Sequence, residues 1–163
     1  MKKTLIGVLI VTVLFSSCLK NYDAPACNSA YDACSFVAPA GEVAQVESYL
    51  SSKNITDAVK HCSGMYYKID VAGGSSKANV CSTISFKYKG ELTNGTVFQE
   101  VSTPIQYKLG ELITGFKNSI PLIGAGGKMK LYIPPSLGYG SQANGSIPAN
   151  SVLIFEVELA GIQ

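Results

Sequence analysis

Three segments of the sequence combine aromatic and branched side chains with turn-forming residues, and these are the segments best placed to do chemistry. They span residues 88–98, 112–116 and 133–140. Apolar side chains held beside turns can line a small binding pocket, where catalysis works through shape and the exclusion of water. A single aromatic residue in an amphipathic strand is more often part of the core, so simple packing is the alternative interpretation.

The residue inventory argues against the familiar hydrolytic and phosphate-binding sites. The single histidine, His61, precedes a strand pattern, and no GxSxG motif is present to supply the nucleophile of a Ser-His-Asp triad. The glycine-rich stretch 124–127 runs into Lys128 and a strand pattern, whereas a phosphate-binding loop opens a helix. The sequence therefore predicts neither kind of site.

The composition predicts one globular domain that does not bind nucleic acid. Of the 163 residues, 47% are hydrophobic and 15% are charged, against about 25% charged in ordinary soluble domains. All 13 basic residues are lysines, and without Lys2 and Lys3 of the leader the 11 that remain balance 11 acidic residues. A neutral chain without arginine lacks the clustered basic side chains that bind phosphate backbones.

The N-terminus has the layout of a secretory signal peptide. A lysine pair precedes an apolar run too short to span a membrane, and Ser16-Ser17-Cys18 follows. Small residues before a cysteine resemble the lipobox of bacterial lipoproteins, so we expect residues 1–17 to be removed and Cys18 to be lipidated. The lipid would anchor the protein in a bacterial cell envelope, and Leu19 in place of aspartate favours the outer membrane, facing the periplasm or the surface. An ordinary signal peptide is the alternative.

The remaining cysteines predict two disulfides in an oxidising compartment. Cys27, Cys34, Cys62 and Cys81 are even in number, and four cysteines allow three connectivities. Proximity in sequence favours pairing Cys27 with Cys34 and Cys62 with Cys81. A zinc site is the alternative, but no CxxC pair is present and His61 has no partner at ligand spacing, so no metal is predicted.

The mature chain divides into a tether, a helix with its connector, and a main domain. Residues 18–40 show no apolar periodicity and predict the tether. In residues 41–64, Val43, Val46 and Leu50 recur at spacings of three and four, which predicts an amphipathic helix that packs on the domain behind it. Residues 65–163 form the main domain.

The main domain shows strand periodicity on both sides of one short helical segment. Alternating apolar residues predict strands near 65–71, 80–88, 96–99, 105–109, 129–133 and 153–159. Asn94-Gly95 predicts the centre of a tight hairpin turn, and helical spacing covers 112–123. Strands around one helix predict an α+β domain with one antiparallel sheet.

The order and spacing of these segments, which close with 147–151 and 155–159, resemble the FKBP-type peptidyl-prolyl cis-trans isomerases. The resemblance runs from about Val80 to Ile162. It implies a twisted antiparallel sheet wrapped around one short helix, with the binding pocket between them.

The resemblance also implies the residues of the site. Tyr139 would donate its hydroxyl to a substrate carbonyl, and the backbone N–H of Ile113 would hold a second carbonyl. The apolar pocket would be formed by Tyr88, Phe98, Leu112, Ile113, Phe116, Tyr139, Ile147 and Phe155, with Phe116 at the floor where the family commonly has tryptophan.

Two residues depart from the family pattern. Gln99 stands where the family has an aspartate that orients neighbouring donors, including the tyrosine matched by Tyr88, and an amide accepts weaker hydrogen bonds than a carboxylate. Glu100 follows, but in an extended strand it points the opposite way. Pro121 removes a backbone donor from the helix and predicts a shortened or kinked helix end.

The function that the resemblance implies is prolyl isomerisation without cofactor or metal, assisting the folding of exported proteins. The partners would be proline-containing polypeptides, and the macrolide ligands of the family would bind the same pocket. Two alternatives stay open. One is a catalytically weak chaperone or binding module for proline-containing segments, which Gln99 motivates. The other is a structural envelope lipoprotein whose pocket is vestigial.

Overall fold

Alternating apolar residues build one antiparallel sheet of six strands within residues 30–163, the part of the chain that the computed structural model describes. The predicted leader 1–17 and the residues Cys18 and Cys27 lie outside it. The bounds of the strands are Val59–Lys60 for β1, Tyr66–Val71 for β2, Thr83–Leu92 for β3, Val97–Lys108 for β4, Lys128–Ile133 for β5 and Leu153–Ile162 for β6. In space the strands follow the order β1, β2, β5, β6, β3, β4.

The core lies between the sheet and one short helix, as the family resemblance implied. The helix, α2, spans Thr114–Ser119 and packs with β3, β5 and β6 around a common apolar cluster. The predicted inward residues of β5 and β6 are all buried: Met129, Leu131, Ile133, Leu153, Phe155, Val157 and Leu159.

A second helix, α1, spans Ala40–Ser52 and covers part of the other face of the sheet. Its three periodic residues, Val43, Val46 and Leu50, are buried, which confirms the predicted amphipathic helix. Val46 and Leu50 share a cluster with Tyr132 and Ile154, which face each other across β5 and β6. Tyr132 lies with Lys130 on the outer face of β5, as the alternation predicts, and it is buried there because α1 covers it.

Pro121 ends α2 early, as expected. The helix stops at Ser119, and the chain continues as a 3₁₀ turn over Ile120–Leu122. At the other end the prediction of a helix from residue 112 is wrong. Ile113 is the extended residue that precedes α2, with ψ 152°.

The hairpin between β3 and β4 closes one residue earlier than predicted. The N–H of Gly95 donates to the carbonyl of Leu92, so Thr93 and Asn94 are the central residues, and Gly95 follows with φ 86°. This is a type I turn followed by a left-handed glycine, the usual three-residue hairpin loop. Asn94-Gly95 identifies the hairpin but not the turn type.

Strand β4 is one strand where the periodicity predicted two. It lies at an edge of the sheet, and its register shifts because Phe86 pairs with Ile105 while Tyr88 pairs with Val101. Pro104 lies in this irregular stretch, at an edge where a missing N–H is tolerated. The extra residues between Val101 and Ile105 interrupt the alternation of apolar residues, so the sequence pattern shows two short strands instead of one.

Two other strands depart from their predicted limits or burial. Strand β3 begins at Thr83 and not at Val80. In β2, Ile69 and Val71 are 39% and 46% exposed although they belong to the predicted inner face. The end of β2 therefore extends past the core.

The disulfide pairing favoured by sequence proximity is wrong. Cys34 is bonded to Cys62, with their Cα atoms 5.5 Å apart, and Cys81 is disulfide-bonded as well. The N–H of Ala38 donates to the carbonyl of Ser63, which places the chain before α1 beside the loop after β1. Because Cys62 is in a disulfide, it does not supply the thiolate of the alternative zinc site.

Tyr31, in the segment before α1, also contacts α2. The hydroxyl of Tyr31 donates to Oδ1 of Asn118, a buried residue of α2, at 2.6 Å.

No group of three or more potential metal ligands occurs within residues 30–163. No helix in that same range is long and apolar enough to cross a membrane.

Candidate functional site

A cavity of about 260 Å³ lies between α2 and the inner face of the sheet. Seven of the nine residues predicted for the site line it. The complete lining is Phe86, Tyr88, Gln99, Tyr107, Leu112, Ile113, Phe116, Tyr139 and Phe155. The fold therefore brings together side chains that are spread over about 70 residues of sequence, from β3 to β6.

The floor of the cavity is a set of aromatic rings in edge-to-face contact. The ring centroids of Phe116 and Phe155 are 4.8 Å apart at 67°, and those of Phe116 and Phe86 are 5.8 Å apart at 88°. Tyr88 contacts Phe116 at 6.1 Å and 75°. Such tilted arrangements are favoured by the quadrupoles of the rings, so the floor is a fixed apolar surface.

Phe98 supports the pocket from behind and does not line it. Val97 pairs with Glu91 and Gln99 pairs with Gly90, which leaves Phe98 as the extra residue of a β-bulge. The ring of Phe98 lies 5.5 Å from that of Phe155. A Cβ atom at Gly90 would collide with the Phe98 ring and lie 2.9 Å from the Phe155 ring, so this arrangement requires glycine there.

Ile147, the other predicted residue outside the lining, belongs to the core. It is only 6% exposed and packs in the same apolar cluster as Phe116 and Phe155. Its N–H and carbonyl pair with Asn144, which closes the loop between β5 and β6.

The polar groups of the cavity are three tyrosine hydroxyls and one amide. Among the residues that the structure describes, the side chains of Tyr88, Tyr107, Tyr139 and Gln99 make no hydrogen bond to another protein group. Burial raises the pKa of Tyr139, and burial followed by the neighbouring Tyr139 and Tyr107 raises that of Tyr88. Both hydroxyls therefore keep their protons at neutral pH and are available as donors.

The backbone supplies one more hydrogen-bond donor at the N-terminal end of α2. Ile113 precedes the helix, and its carbonyl accepts from the N–H groups of Phe116 and Lys117. Its own N–H donates to no backbone carbonyl within residues 30–163. The Ile113 N–H is therefore available to a bound ligand.

No charged side chain lines the cavity among residues 30–163. Gln99 is exposed at the rim, and no hydrogen bond joins it to Tyr88. Glu100 lies on the opposite face of the sheet, in a groove that includes Lys87, Lys130 and Glu156. The expectation that Glu100 points away from the pocket is confirmed.

Tyr139 is positioned by a turn that leaves β5. The 3₁₀ turn over Pro135–Leu137 buries the Leu137 side chain completely. The N–H of Gly140 donates to the carbonyl of Pro135 at 2.8 Å, and the carbonyl of Gly140 accepts from Asn150 at 2.9 Å. These contacts fix both sides of Tyr139.

The sequence reasoning missed Phe86 and Tyr107. Phe86 lies on the predicted inner face of β3, two residues before Tyr88, so the alternation already placed it beside the site. Tyr107 is 48% exposed and lies on a strand that was predicted separately from Gln99. Only the continuity of β4 brings Tyr107 and Gln99 to one cavity.

The chain is similar to known proteins over the domain that carries this cavity. Residues 74–160 match the family model described as FKBP-type peptidyl-prolyl cis-trans isomerase. The chain is 35% identical over 121 residues to an FKBP-type peptidyl-prolyl cis-trans isomerase FkpA from Aeromonas hydrophila, covering 72% of this chain and 45% of the relative. It is 44% identical over 108 residues to FkpA from Buchnera aphidicola subsp. Schizaphis graminum, covering 64% and 43%.

Solved structures agree with this similarity. The crystal structure of FkpA from Escherichia coli has a TM-score of 0.69 at 30% identity, covering 76% of this chain and 60% of that one. The structure of AtFKBP13 has a TM-score of 0.61 at 31% identity, covering 66% of this chain and 100% of that one. The chain spans about half the length of the curated relatives it matches.

Proposed function

The chain belongs to the FKBP-type peptidyl-prolyl cis-trans isomerase family, and from this premise we propose that it catalyses the cis-trans isomerisation of Xaa-Pro peptide bonds. The observation that carries the proposal is the cavity of about 260 Å³ with an aromatic floor, whose lining within residues 30–163 contains no charged side chain and whose edge carries hydroxyl donors without a partner in that range. A proline ring fits such a site because it is compact and apolar.

The apolar cavity lowers the barrier to rotation about the Xaa-Pro amide bond, which arises from amide resonance. Rotation about the amide bond costs about 18 to 20 kcal/mol because the twisted amide loses its resonance. The planar amide has more charge separation than the twisted one, so an apolar site free of charges favours the twisted form relative to water. Each 1.4 kcal/mol of this preference accelerates the reaction about tenfold.

Two donors hold the substrate on either side of the rotating bond. The Tyr139 hydroxyl and the Ile113 N–H are the groups proposed to bind its flanking carbonyls, which keeps the peptide bent while the amide twists. The reaction transfers no proton. A tyrosine whose pKa is raised serves this role well because it stays a neutral donor.

We propose that Gln99 lowers the rate without abolishing it. Gln99 reaches the rim of the cavity, but its amide is neutral and makes no hydrogen bond to Tyr88. An ionised carboxylate at this rim would accept stronger hydrogen bonds from nearby hydroxyls. The aromatic floor and the two donors do not depend on it.

The refolding of a protein that is limited by proline isomerisation tests the proposed function on a polypeptide. The purified protein should accelerate the slow phase, and Tyr139→Phe should lose most of the acceleration. Tyr67→Phe is the matched control, since Tyr67 lies in β2 away from the cavity, and it should behave as the parent. Equal loss in both variants, or no acceleration by the parent, would contradict the proposal.

We further propose that the protein works in a bacterial envelope, attached through a lipid on Cys18, on exported polypeptides. The leader sequence and the disulfide between Cys34 and Cys62 support this, because disulfides persist in oxidising compartments. Labelling cells with an alkyne fatty acid should mark the parent protein and not Cys18→Ser. Equal labelling of the two would contradict lipidation at this residue.

The same cavity is our proposed site for macrolide ligands of the family. A macrolide that occupies the cavity excludes the proline ring, so it should inhibit the refolding activity in competition with substrate. Inhibition that substrate does not relieve would place the ligand elsewhere.

A further inference from the structure

A carboxylate of α1 contacts the turn that carries Tyr139. The backbone N–H of Ser136 donates to Oε2 of Glu42 at 2.7 Å, across 94 residues of sequence. Both residues are half-buried. Glu42 lies outside residues 74–160, the segment that matches the family.

The contact completes a turn that otherwise has an unpaired donor. Ser136 is the second residue of the 3₁₀ turn Pro135–Leu137, where N–H groups have no partner within the turn. Hydrogen bonds to an ionised acceptor are about twice as strong as neutral ones. The buried Leu137 holds the turn from the inside, and Glu42 holds it from the side of α1.

The position of Glu42 is itself well defined. Its neighbour Val43 is buried and packs so closely on Gly64 that a Cβ atom there would lie 2.8 Å from Val43. One and two turns further along α1, Val46 and Leu50 pack with Tyr132 of β5, the strand that leads into the turn. Helix, strand and turn therefore form one packed unit.

We propose that Glu42 is a positioning residue for the isomerase site. It holds the 135–137 turn so that Tyr139, three residues beyond Ser136, presents its hydroxyl to the cavity. This inference rests on the proposed function for its effect on turnover. Its structural part, the placement of the turn by Glu42, stands on the contact alone.

The chain provides a matched control on the same helix. Glu47 also accepts two side-chain hydrogen bonds, from Tyr66 at 2.7 Å and from Lys60 at 2.9 Å, but it is exposed and does not touch the turn. Replacing it removes a carboxylate from α1 without affecting Tyr139.

The test compares Glu42→Ala, Glu42→Gln and Glu47→Ala by amide NMR, by isomerase kinetics and by thermal unfolding. Glu42→Ala should move the amide signals of Ser136, Gly138, Tyr139 and Gly140 and lower kcat/KM by roughly tenfold. Glu42→Gln keeps an acceptor and should recover part of both effects. Glu47→Ala should leave the amide signals of the turn and kcat/KM as in the parent, whatever its effect on the unfolding temperature.

Unchanged turn amides in the Glu42 variants would overturn the inference, and so would an equal loss of kcat/KM in Glu47→Ala. Should Glu42→Ala fail to fold, the comparison of Glu42→Gln with Glu47→Gln decides in the same way. A parent protein without turnover contradicts the proposed function. The amide signals then still decide whether Glu42 places the turn.

Discussion

At the scale of single residues, the cavity is built from side chains of β3, β4, β6 and α2 and of the turns beside them. Tyr88 and Phe155 follow the alternation of β3 and β6, and Phe116 follows the helical spacing. Phe98 was misplaced because a bulge re-aims its side chain, and bulges leave no clear sequence signal. Glu42 was missed because its partner is a backbone N–H 94 residues away.

Gln99→Asp should raise kcat/KM by about threefold, since a carboxylate at the rim accepts stronger hydrogen bonds, while its exposure limits the gain. Peptide isomerisation kinetics measure this. Glu100→Gln changes the charge of the next residue on the opposite face and should have no effect. A fall in kcat/KM on introducing the aspartate would contradict the proposed role of Gln99.

The rate should be independent of pH from about pH 6 to about pH 9, because burial raises the pKa values of the hydroxyl donors Tyr88 and Tyr139 above the ordinary tyrosine value. Burial raises the pKa of Tyr139 above its ordinary value of 10.0, so this donor keeps its proton to higher pH than a free tyrosine, and its deprotonation reduces the rate only in the alkaline range. The only histidine, His61, lies beside Cys62 and not in the cavity. An inflection near neutral pH in kcat/KM would contradict this mechanism.

At the scale of elements, periodicity predicted the secondary structure of most segments but not which elements pack on each other. The alternation of buried and exposed side chains in β5 is interrupted at Tyr132. This residue is 3% exposed although it lies on the outer face of the sheet, because α1 packs there. The helix of residues 112–123 was too long for two local reasons. Ile113 is extended, and Pro121 ends the regular hydrogen bonding.

The rings of Phe86 and Phe116 should behave as a coupled pair. Phe86 is 1% exposed and meets Phe116 edge to face, so Phe116→Trp overfills the floor and should lower the free energy of unfolding by about 1 to 3 kcal/mol. Phe86→Val in the same molecule should relieve most of this loss. Urea denaturation of the two single variants and the double variant measures the coupling, and simple additivity would contradict it.

At the scale of the whole molecule, residues 31–52 are bound to the sheet domain rather than merely preceding it. The contact of Tyr31 with Asn118 and the packing of α1 connect residues 31–52 to the family domain, and the bond between Cys34 and Cys62 connects them to the loop after β1. Proximity in sequence failed to predict the disulfide because pairing depends on which loops the fold brings together. The backbone contact of Ala38 with Ser63 does this here.

The Cys34→Ser, Cys62→Ser double variant should lose about 3 to 4 kcal/mol of stability, the loop entropy released by opening a cross-link across 28 residues. Denaturant unfolding under non-reducing conditions measures the loss. The partner of Cys81 is unaffected by these substitutions, so the comparison isolates one bond. A change below about 1 kcal/mol would contradict this entropic contribution of the disulfide.

We expect the uncharged aromatic cavity to turn over Xaa-Pro bonds without any group that transfers a proton. NMR exchange spectroscopy on a short Xaa-Pro peptide, with binding followed in the same samples, tests it most directly. Spontaneous exchange takes tens to hundreds of seconds. We expect the protein to bring exchange into the range of seconds or faster and Phe116→Ala to lose the effect, while Phe36→Ala, at an exposed ring, keeps it. Binding of the peptide without any acceleration of its exchange would contradict the claim.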